Sequence, residues 1–389
     1  MNQPCALVFH GSADLYGSDQ TTVDLVMGLL AAGWRVEVAL PHTGPLVEVL
    51  ERAGTVVHVG SFSPFGRATL KPKGLLAFPF QLGASTLACR RLIAKVGPDI
   101  VHVNTLIIPA PALAAKLARR PLVWHVHEIM ERPARLAQAL SQLVGTLADK
   151  VICNSKATLA QLNAHSSKVA PKAVVIPNGV TSHPLRASTE VRKELNVATD
   201  RFVFLFVGRL NAWKGQQLFV EAAARILALH PRALFLAAGD APNGQPHFRE
   251  AFVEAIDSHQ LGDSFRWLGF FSDTHALASA ADVAVVPSLL PEPFGLVAAE
   301  AMAAALPVIA AGHGGLCEIV VDGETGLLTA PGDLDSLVQA MESLIESPER
   351  TKQMGQAGKR RQAELFSVER YQAAFLGVYD SLIRPGGAS

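Results

Sequence analysis

Short apolar runs alternate with helical stretches along the whole chain, and the alternation occurs twice. "CALVFH" (5–10) and "RVEVAL" (35–40) are typical apolar runs, and the stretch 19–32 between them has helical character. The strands expected in the first half are 5–10, 35–40, 56–59, 99–104, 121–126, 150–155 and 173–177. Continuous apolar strands with helical crossovers are typical of a parallel sheet that helices cover on both faces.

A polar segment with two prolines, "PNGVTSHPLRAST" (177–189), separates the two series. The strands expected after it are 201–208, 232–239, 264–269, 282–288, 306–311 and 325–330. The sequence therefore predicts an α/β protein with two doubly wound, Rossmann-like domains, 1–182 and 183–365, joined by a linker near 181–199. Ligands of such sheets bind at the carboxyl ends of the strands, so we expect a site in a cleft between the domains.

The composition is typical of a well-buried enzyme. Apolar residues make up 49% of the 389 residues and charged residues 17%,. Lysine plus arginine equals aspartate plus glutamate, at 34 each, so the chain lacks the basic excess that coats nucleic acid, and no nucleic-acid partner is expected,. The four cysteines form no CxxC pair, which argues against a zinc site and a disulfide scaffold,.

The amino terminus, "MNQPCALVFHG", is expected to form a core strand and not a signal peptide, because it has no basic region and only a short apolar run,. No uncharged apolar stretch reaches the roughly 18 residues of a membrane span. We therefore expect a location in the reducing cytoplasm.

Segment 61–98 departs from the regular pattern, because it mixes phenylalanines with basic residues and has no acid before Asp99. Such a stretch is typical of helices that lie on an anionic membrane surface, so peripheral contact with the inner face of the membrane is one interpretation. The other interpretation is a long connection followed by a helix that packs on the core and leaves its lysines in solvent. The residues concerned are Phe62, Phe65, Phe78, Phe80, Arg67, Lys71, Lys73, Arg90, Arg91 and Lys95.

Two cations follow the first strand of the second series. In "FVGRLNAWKG" the strand ends at Gly208, Arg209 comes next, and Lys214 precedes a helix that opens near Gly215. Arginine offers a planar fork, lysine a point charge, and a helix start its free N–H groups, which together suit an anion. The expected ligand is a diphosphate. The alternative interpretation is that the two cations are solvated surface charges.

Two carboxylates lie in the apolar segment "PEPFGLVAAEAMA" (291–303). Glu292 precedes a helix that is expected to begin at Phe294, with the N–H groups of Phe294 and Gly295 unpaired, and Glu300 lies about two turns into it. An unpaired carboxylate costs roughly several kcal/mol to bury, so both are expected to face water or ligand hydroxyls. This arrangement suits a nucleoside diphosphate sugar, with its sugar at Glu292 and its ribose at Glu300.

The ordered set of motifs resembles the retaining glycosyltransferases of the GT-B fold, of the family 4 type (glycosyl transferases group 1). The elements that carry the resemblance are E-x7-E (Glu292, Glu300), "GRL…KG" (Arg209, Lys214), "VICNS" (151–155), "VIPNGV" (175–180), "ADVAVVPS" (281–288) and "GGLCEIVVDGETGLL" (314–328). The match is dense over 150–345 and thinner over 1–150.

The resemblance implies a UDP- or GDP-sugar donor on the second domain, with no further cofactor and no metal. Arg209 and Lys214 would bind and neutralise the diphosphate in place of a metal ion. Glu300 would bind the ribose and Glu292 the donor sugar. The other donor-binding positions on this domain are Gly208, Gly239, Gly269, Phe270, Phe294, Gly295 and Leu296.

In the first, acceptor-side domain, the resemblance implies that Gly17 and Ser18 of "YGSD" approach the donor phosphates, although the family usually has two glycines there. His127, followed by Glu128, matches a histidine that lies close to the transferred sugar, and it completes a catalytic set with Arg209, Lys214 and Glu292. His125 is expected in the core. The HxH spacing also suits a metal, but no third ligand cluster accompanies it in the sequence.

The activity implied is that of a hexosyltransferase which retains the anomeric configuration. Its acceptor would be a hydroxyl of a saccharide or lipid-linked carrier, in bacterial cell-surface polysaccharide, lipopolysaccharide or glycolipid assembly. The last helix, 366–389, would cross back to the first domain. Two other functions share this architecture: a nucleotide-sugar epimerase, which would lack the paired E-x7-E and "GRL…KG" elements, and a catalytically silent nucleotide-sugar-binding subunit.

Overall fold

The computed structural model describes residues 3–383 apart from 61, 67, 68, 70, 185, 243 and 272. The chain divides into unit 1, which comprises Met1–Gly179 and Val368–Ser389, and unit 2, Val180–Ser367. Arg67, one of the basic residues noted in segment 61–98, lies outside the described residues.

Unit 1 contains a seven-stranded parallel sheet. Its strands are β1 (Cys5–His10), β2 (Arg35–Leu40), β3 (Val56–Val59), β4 (Ile100–Asn104), β5 (Leu122–Val126), β6 (Lys150–Cys153) and β7 (Ala173–Val175). Their order is β3-β2-β1-β4-β5-β6-β7, so the winding reverses between β1 and β4. The central strands are buried along their whole length, as expected for a sheet that is covered on both faces,.

Helices cover both faces of this sheet. They are α1 (Gly17–Ala31), α2 (Pro45–Arg52), α3 (Pro72–Val96), α4 (Pro109–Leu117), α5 (Ala134–Leu147) and α6 (Lys156–His165). Two clusters of buried apolar side chains result, one on each face. α3 is one helix of 25 residues although Pro79 lies inside it.

Unit 2 contains a second parallel sheet, whose order is β10-β9-β8-β11-β12-β13. Its strands are β8 (Phe202–Val207), β9 (Ala233–Ala238), β10 (Phe265–Trp267), β11 (Val283–Val286), β12 (Val308–Ala311) and β13 (Gly326–Thr329). Its helices are α7 (Ser188–Glu194), α8 (Gln216–Leu229), α9 (His247–Ser258), α10 (Thr274–Ala280), α11 (Leu296–Ala303), α12 (Leu316–Ile319), α13 (Leu334–Ile345) and α14 (Pro348–Leu365). The winding reverses between β8 and β11, so the predicted class of two doubly wound α/β domains is confirmed.

The last helix, α15 (Val368–Ile383), belongs to unit 1 and packs on α1. The Tyr371 hydroxyl donates to the Thr21 carbonyl (3.1 Å), and the ring of Tyr379 meets Trp34 edge-on. Tyr371 and Tyr379 are almost fully buried, so α15 forms part of the core of unit 1.

The apolar side chains of segment 61–98 divide between the core and the surface. Phe62 is 4% exposed and packs on Phe9, whereas Phe80 is 82% exposed. Among the helices that the structure describes, none has the length and apolar character needed to cross a bilayer.

Candidate functional site

Three glycines in unit 2 follow the ends of the adjacent strands β8, β9 and β10. The Gly208 N–H donates to the Ala238 carbonyl (2.9 Å), and the Gly239 N–H donates to the Gly269 carbonyl (2.7 Å). Gly239 has φ +126°, and a Cβ there would lie 1.9 Å from the Gly208 carbonyl oxygen. The close approach of the two backbones therefore requires glycine at 239. Phe270, next along, leaves 69% of its side chain exposed.

Lys214 and Glu292 make a direct contact, 2.7 Å from Nζ to Oε1. Their side chains are only 16% and 6% exposed, and the ammonium also lies over the Trp213 ring, 4.5 Å from its centroid. The buried hydroxyl of Ser288 donates to the same Glu292 oxygen (2.5 Å). Glu292 is therefore held from two sides. The sequence predicted both members of the ion pair, but not that they touch.

The loop that carries Lys214 is held by a residue that the sequence did not single out. Asn211 Oδ1 accepts the backbone N–H groups of Trp213 and Lys214, both at 3.0 Å. Gly215 caps α8 with φ +74°, and a Cβ there would lie 2.0 Å from the Pro287 carbonyl oxygen. Arg209, which directly follows Gly208, is exposed.

The start of α11 corrects one expectation. The helix begins at Leu296 and not at Phe294, because Gly295 caps it in a left-handed conformation with φ +110°. The Phe294 side chain is 3% exposed and packs edge-on against Phe366. Phe294 is thus an anchor in the core of unit 2, and Gly295 and Leu296 form the helix start itself.

The backbone around Glu292 is supported by the glycine pair at 314–315. The Gly315 N–H donates to the Glu292 carbonyl (2.7 Å), and a Cβ at Gly314 would lie 2.5 Å from the same oxygen. His313 Nε2 lies 2.8 Å from the Ser288 carbonyl oxygen. This segment therefore fixes the position of Glu292, which gives a structural reason for the "GHGG" run.

Glu300 lies beside a small cavity of about 20 Å³, lined also by Leu205, Val207, Thr274 and His275. Burial raises the pKa of its carboxyl, although Lys214 acts in the opposite direction. A larger surface depression, of about 710 Å³, follows α9 and is lined by none of the predicted site residues.

In unit 1, Gly17 and Ser18 form the exposed first turn of α1. Asp19 differs from them, because it is 2% exposed. Its Oδ2 accepts the Tyr16 N–H (2.8 Å), and its Oδ1 lies 2.7 Å from His10 Nε2. Asp19 thus anchors the glycine-containing loop, a role that the sequence left open.

His127 follows β5, and its Nε2 lies 2.5 Å from Asn104 Oδ1. Burial lowers the pKa of His127 to about 3, and the neighbouring His10 and His102 act in the same direction. The imidazole is therefore neutral near pH 7. Neither Asn104 nor His10 was predicted as part of the site.

The acid that follows His127 holds the backbone. The Glu128 carboxylate accepts the Thr105 hydroxyl, the Leu106 N–H (3.1 Å) and the N–H of His127 (3.1 Å). Burial raises the pKa of Glu128 despite these hydrogen bonds. Glu128 therefore acts by tying the turn after β5 to the turn after β4.

His125 is fully buried, as expected. Its ring lies 3.7 Å from that of His127 and 5.0 Å from that of Phe375, centroid to centroid. Within the described part of the chain, the group of histidine and acidic ligand atoms close enough to hold a metal is on the outside of unit 2, at His230, Glu342 and Glu346. That group includes neither His125 nor His127.

Comparison with known proteins shows the family to which this fold and these motifs belong. Residues 187–361 match the family model of the glycosyl transferases group 1, and residues 16–183 match that of glycosyltransferase family 4. The D-inositol 3-phosphate glycosyltransferase of Geodermatophilus obscurus is 32% identical over 403 aligned positions, which cover 95% of this chain and 85% of that protein. The chain belongs to the group 1, family 4 glycosyltransferases.

Other relatives of this glycosyltransferase are similar over different lengths. The lipopolysaccharide core biosynthesis mannosyltransferase LpsB of Rhizobium meliloti is 31% identical over 242 residues, which cover 61% of this chain and 66% of LpsB. The crystal structure of Anabaena HepE in complex with UDP and glucose superposes with a TM-score of 0.83 at 26% identity, and covers 97% of this chain and 99% of HepE.

Proposed function

We propose that this glycosyltransferase moves a sugar from a UDP- or GDP-sugar to a hydroxyl group, with retention of the anomeric configuration and without a metal ion. The buried contact between Lys214 and Glu292 carries the proposal, because it joins a group suited to phosphate with one suited to sugar hydroxyls. The solved complexes of Anabaena HepE with UDP and glucose and with UDP-glucose support the donor class.

Lys214 is assigned to the diphosphate. An ammonium has three N–H donors, and the contact with Glu292 uses one, which leaves two for phosphate oxygens,. We assign Arg209 to a second phosphate oxygen through its planar fork. Two cations can then stabilise the negative charge that develops on the leaving group, which is the work that a metal ion does in other enzymes.

Glu292 is assigned to the donor sugar. Its Oε1 accepts from Lys214 and Ser288, so its Oε2 is the atom we propose as acceptor for a sugar hydroxyl. The backbone at Phe294, Gly295 and Leu296 is assigned to sugar and phosphate contacts at the start of α11.

Glu300 is assigned to the ribose, because one carboxylate can accept from both vicinal hydroxyls. Leu205 and Val207 place apolar side chains next to this carboxylate, at the small cavity that they line together. Hydroxyl donors would also compensate the unfavourable burial that raises the pKa of this carboxyl,. The edge formed by Gly208, Gly239 and Gly269 is assigned to the nucleotide, together with the adjacent Phe270.

Retention follows if the acceptor attacks the face that the phosphate leaves. The bond from the anomeric carbon to the diphosphate oxygen breaks, and the acceptor oxygen forms a bond to that carbon on the same side. The acceptor proton passes to the departing phosphate oxygen. In unit 1, neutral His127 is assigned to the transferred sugar, and the N–H groups of Gly17 and Ser18 to the donor phosphates.

The acceptor is proposed to be a saccharide or lipid-linked carrier in bacterial cell-surface polysaccharide or glycolipid assembly, as the similarity to LpsB supports. α3 offers a surface for a membrane-bound acceptor. Leu76, Phe80 and Leu87 are 78%, 82% and 48% exposed, and the spacing places them on one side of the helix,. The exposed basic residues near its two ends are Lys71, Lys73, Arg90, Arg91 and Lys95.

Flotation with liposomes tests this surface. We expect the protein to rise with anionic vesicles, and the double variant Leu76→Ser/Phe80→Ser to remain at the bottom. Leu229→Ser, at a 59% exposed leucine of α8, is the matched control and should float like the wild type. Flotation of the double variant at the wild-type level would remove α3 as the contact.

The donor assignment is tested by thermal shift with UDP-, GDP- and ADP-sugars, followed by NMR of the anomeric proton of the product. One class of nucleotide should raise the melting temperature of the wild type and not that of Glu300→Gln. The product should keep the donor configuration, and activity should survive EDTA. An epimer formed from donor alone, inversion, or binding without transfer to any acceptor would each contradict the proposal.

A further inference from the structure

A buried chain of hydrogen bonds joins His127 to the first turn of α1. It runs from His127 Nε2 to Asn104 Oδ1 (2.5 Å), from Asn104 Nδ2 to His10 Nδ1 (2.9 Å), and from His10 Nε2 to Asp19 Oδ1 (2.7 Å). Asn104, His10 and Asp19 are each at most 2% exposed. The other oxygen of Asp19 holds the Tyr16 N–H. One chain of contacts therefore connects the imidazole with the glycine-containing loop.

The direction of each hydrogen bond follows from the groups involved. Burial alone would raise the pKa of Asp19, but the hydrogen bond with His10 and others lower it, so Asp19 is a carboxylate and only accepts. His10 Nε2 therefore donates to it. Asn104 Nδ2 donates one hydrogen bond to His10 Nδ1 and a second to Thr22 Oγ1 (2.6 Å). Its Oδ1 is then the acceptor for His127 Nε2–H.

We propose that Asn104 and His10 are positioning residues that fix the Nε2–H tautomer of His127 and leave its Nδ1 as an unprotonated hydrogen-bond acceptor. Nδ1 is buried and has no hydrogen-bond partner among the residues described. The ring of His125, 3.7 Å away, packs against the imidazole and restricts its tilt. The inference rests on the proposed function in one respect, the placement of His127 beside the transferred sugar.

Two-bond ¹H–¹⁵N NMR of the full chain labelled at histidine reports the tautomer directly, with His127 assigned through His127→Gln. We expect the Nε2–H form from pH 6 to 8 in the wild type, and a mixture of forms in Asn104→Leu. Thr55→Val is the control, because Thr55 is also buried and hydrogen-bonded in unit 1 but lies outside the chain of contacts. An Nδ1–H form in the wild type, or an unchanged tautomer in Asn104→Leu, would overturn the proposal.

Kinetics give a second readout. Asn104→Leu should lower kcat about ten-fold, the factor that corresponds to about 1.4 kcal/mol. The dissociation constant of the free nucleoside should not change, because the base and ribose are assigned to unit 2 and the nucleoside lacks the phosphates assigned to Gly17 and Ser18. Thr55→Val should leave kcat unchanged, which separates a loss of positioning from a general loss of stability.

Asn104→Asp adds a pH test. The carboxylate still accepts from His127 Nε2–H, but its charge raises the pKa of His127. As the pH falls, Nδ1 of the variant gains a proton and becomes a donor, so its kcat should decline toward acid while that of the wild type stays level over the same range. Coincident pH profiles for the wild type and Asn104→Asp would overturn the proposal.

His127→Ala separates this inference from the proposed function. Full activity of His127→Ala would refute the placement of His127 beside the sugar, and the NMR result would still decide whether Asn104 fixes the tautomer. Loss of activity in His127→Ala together with wild-type kcat in Asn104→Leu would overturn the positioning role alone.

Discussion

Replacing Lys214 by methionine should separate a stability effect of the Lys214–Glu292 pair from a catalytic one. The variant leaves the Glu292 carboxylate, 6% exposed, with the Ser288 hydroxyl as its partner. Removing one member of a buried pair costs about 3–5 kcal/mol. Since Ser288 remains and Lys214 is itself 16% exposed, we expect the low end, about 3 kcal/mol,. At roughly 2–4 °C per kcal/mol, the melting temperature of unit 2 should fall by about 6–12 °C.

A second substitution tests the cause of that loss. Glu292→Gln in the Lys214→Met background removes the unpaired charge and keeps an acceptor for Ser288. It should therefore reverse about half of the decrease in melting temperature that Lys214→Met causes. Lys116→Met is the matched control, because Lys116 pairs with Asp149 at 34% and 40% exposure, where a pair contributes about 1 kcal/mol or less,. Differential scanning calorimetry of the four proteins measures these shifts.

The catalytic effect of Lys214→Met should not be restored in the same way. Removing a preorganised donor from a developing charge costs about 10²–10³ in kcat, and the donor KM should change less. The double variant should be at least as slow as Lys214→Met, because Glu292 is itself assigned to the donor sugar. A double variant no more stable than Lys214→Met, or a loss confined to KM, would refute the reasoning.

Three further changes have expected outcomes. Burial raises the pKa of Glu300, so the folded state keeps a proton that the unfolded state releases, and the stability of the protein should fall as the pH rises above about 4.3,. Glu300→Gln should therefore raise the melting temperature more at pH 8 than at pH 5. Equal increases at the two pH values would count against a buried carboxylate. Gly239→Ala should lower the melting temperature of unit 2 far more than Gly244→Ala. Both glycines have positive φ, but of the two only Gly239 has a neighbour, the Gly208 carbonyl oxygen, with which a Cβ would collide. Equal decreases in calorimetry would contradict this prediction. Burial lowers the pKa of His125 well below 6.5, so the unfolded state gains a proton first and the stability of the protein is lost as the pH falls through about 6.5,. In urea denaturation, His125→Phe should therefore be more stable relative to the wild type at pH 5 than at pH 8. A difference in stability that does not depend on pH would refute this prediction.

The local patterns were sufficient for the architecture, and they singled out the individual residues that we assign to the proposed donor site. Apolar runs and helical spacing depend on near neighbours, so β1, β8 and most other strands could be placed from the sequence. The pair Glu292 and Glu300 also stood out locally, because two carboxylates in an apolar segment need a polar partner or water. The start of α11 was placed too early, because Gly295 takes a left-handed conformation. The side chains that a Cβ at 295 would meet, Leu316 and Ile319, are distant in the sequence.

Contacts between distant residues were decided by the assembled fold and could not be read locally. Lys214 and Glu292 are 78 residues apart, and His10 and Asn104 are 94 apart. The pairing of β1 with β4 places His10 opposite Asn104, and the pairing of β4 with β5 places Asn104 opposite His125, two residues before His127. A shift of one residue in either pairing would turn these side chains to the other face of the sheet. The sequence by itself thus determined which chemical groups this glycosyltransferase carries and which elements bear them. The tertiary structure decided which groups meet, because hydrogen bonds and ion pairs act over about 3 Å and depend on the assembled sheet.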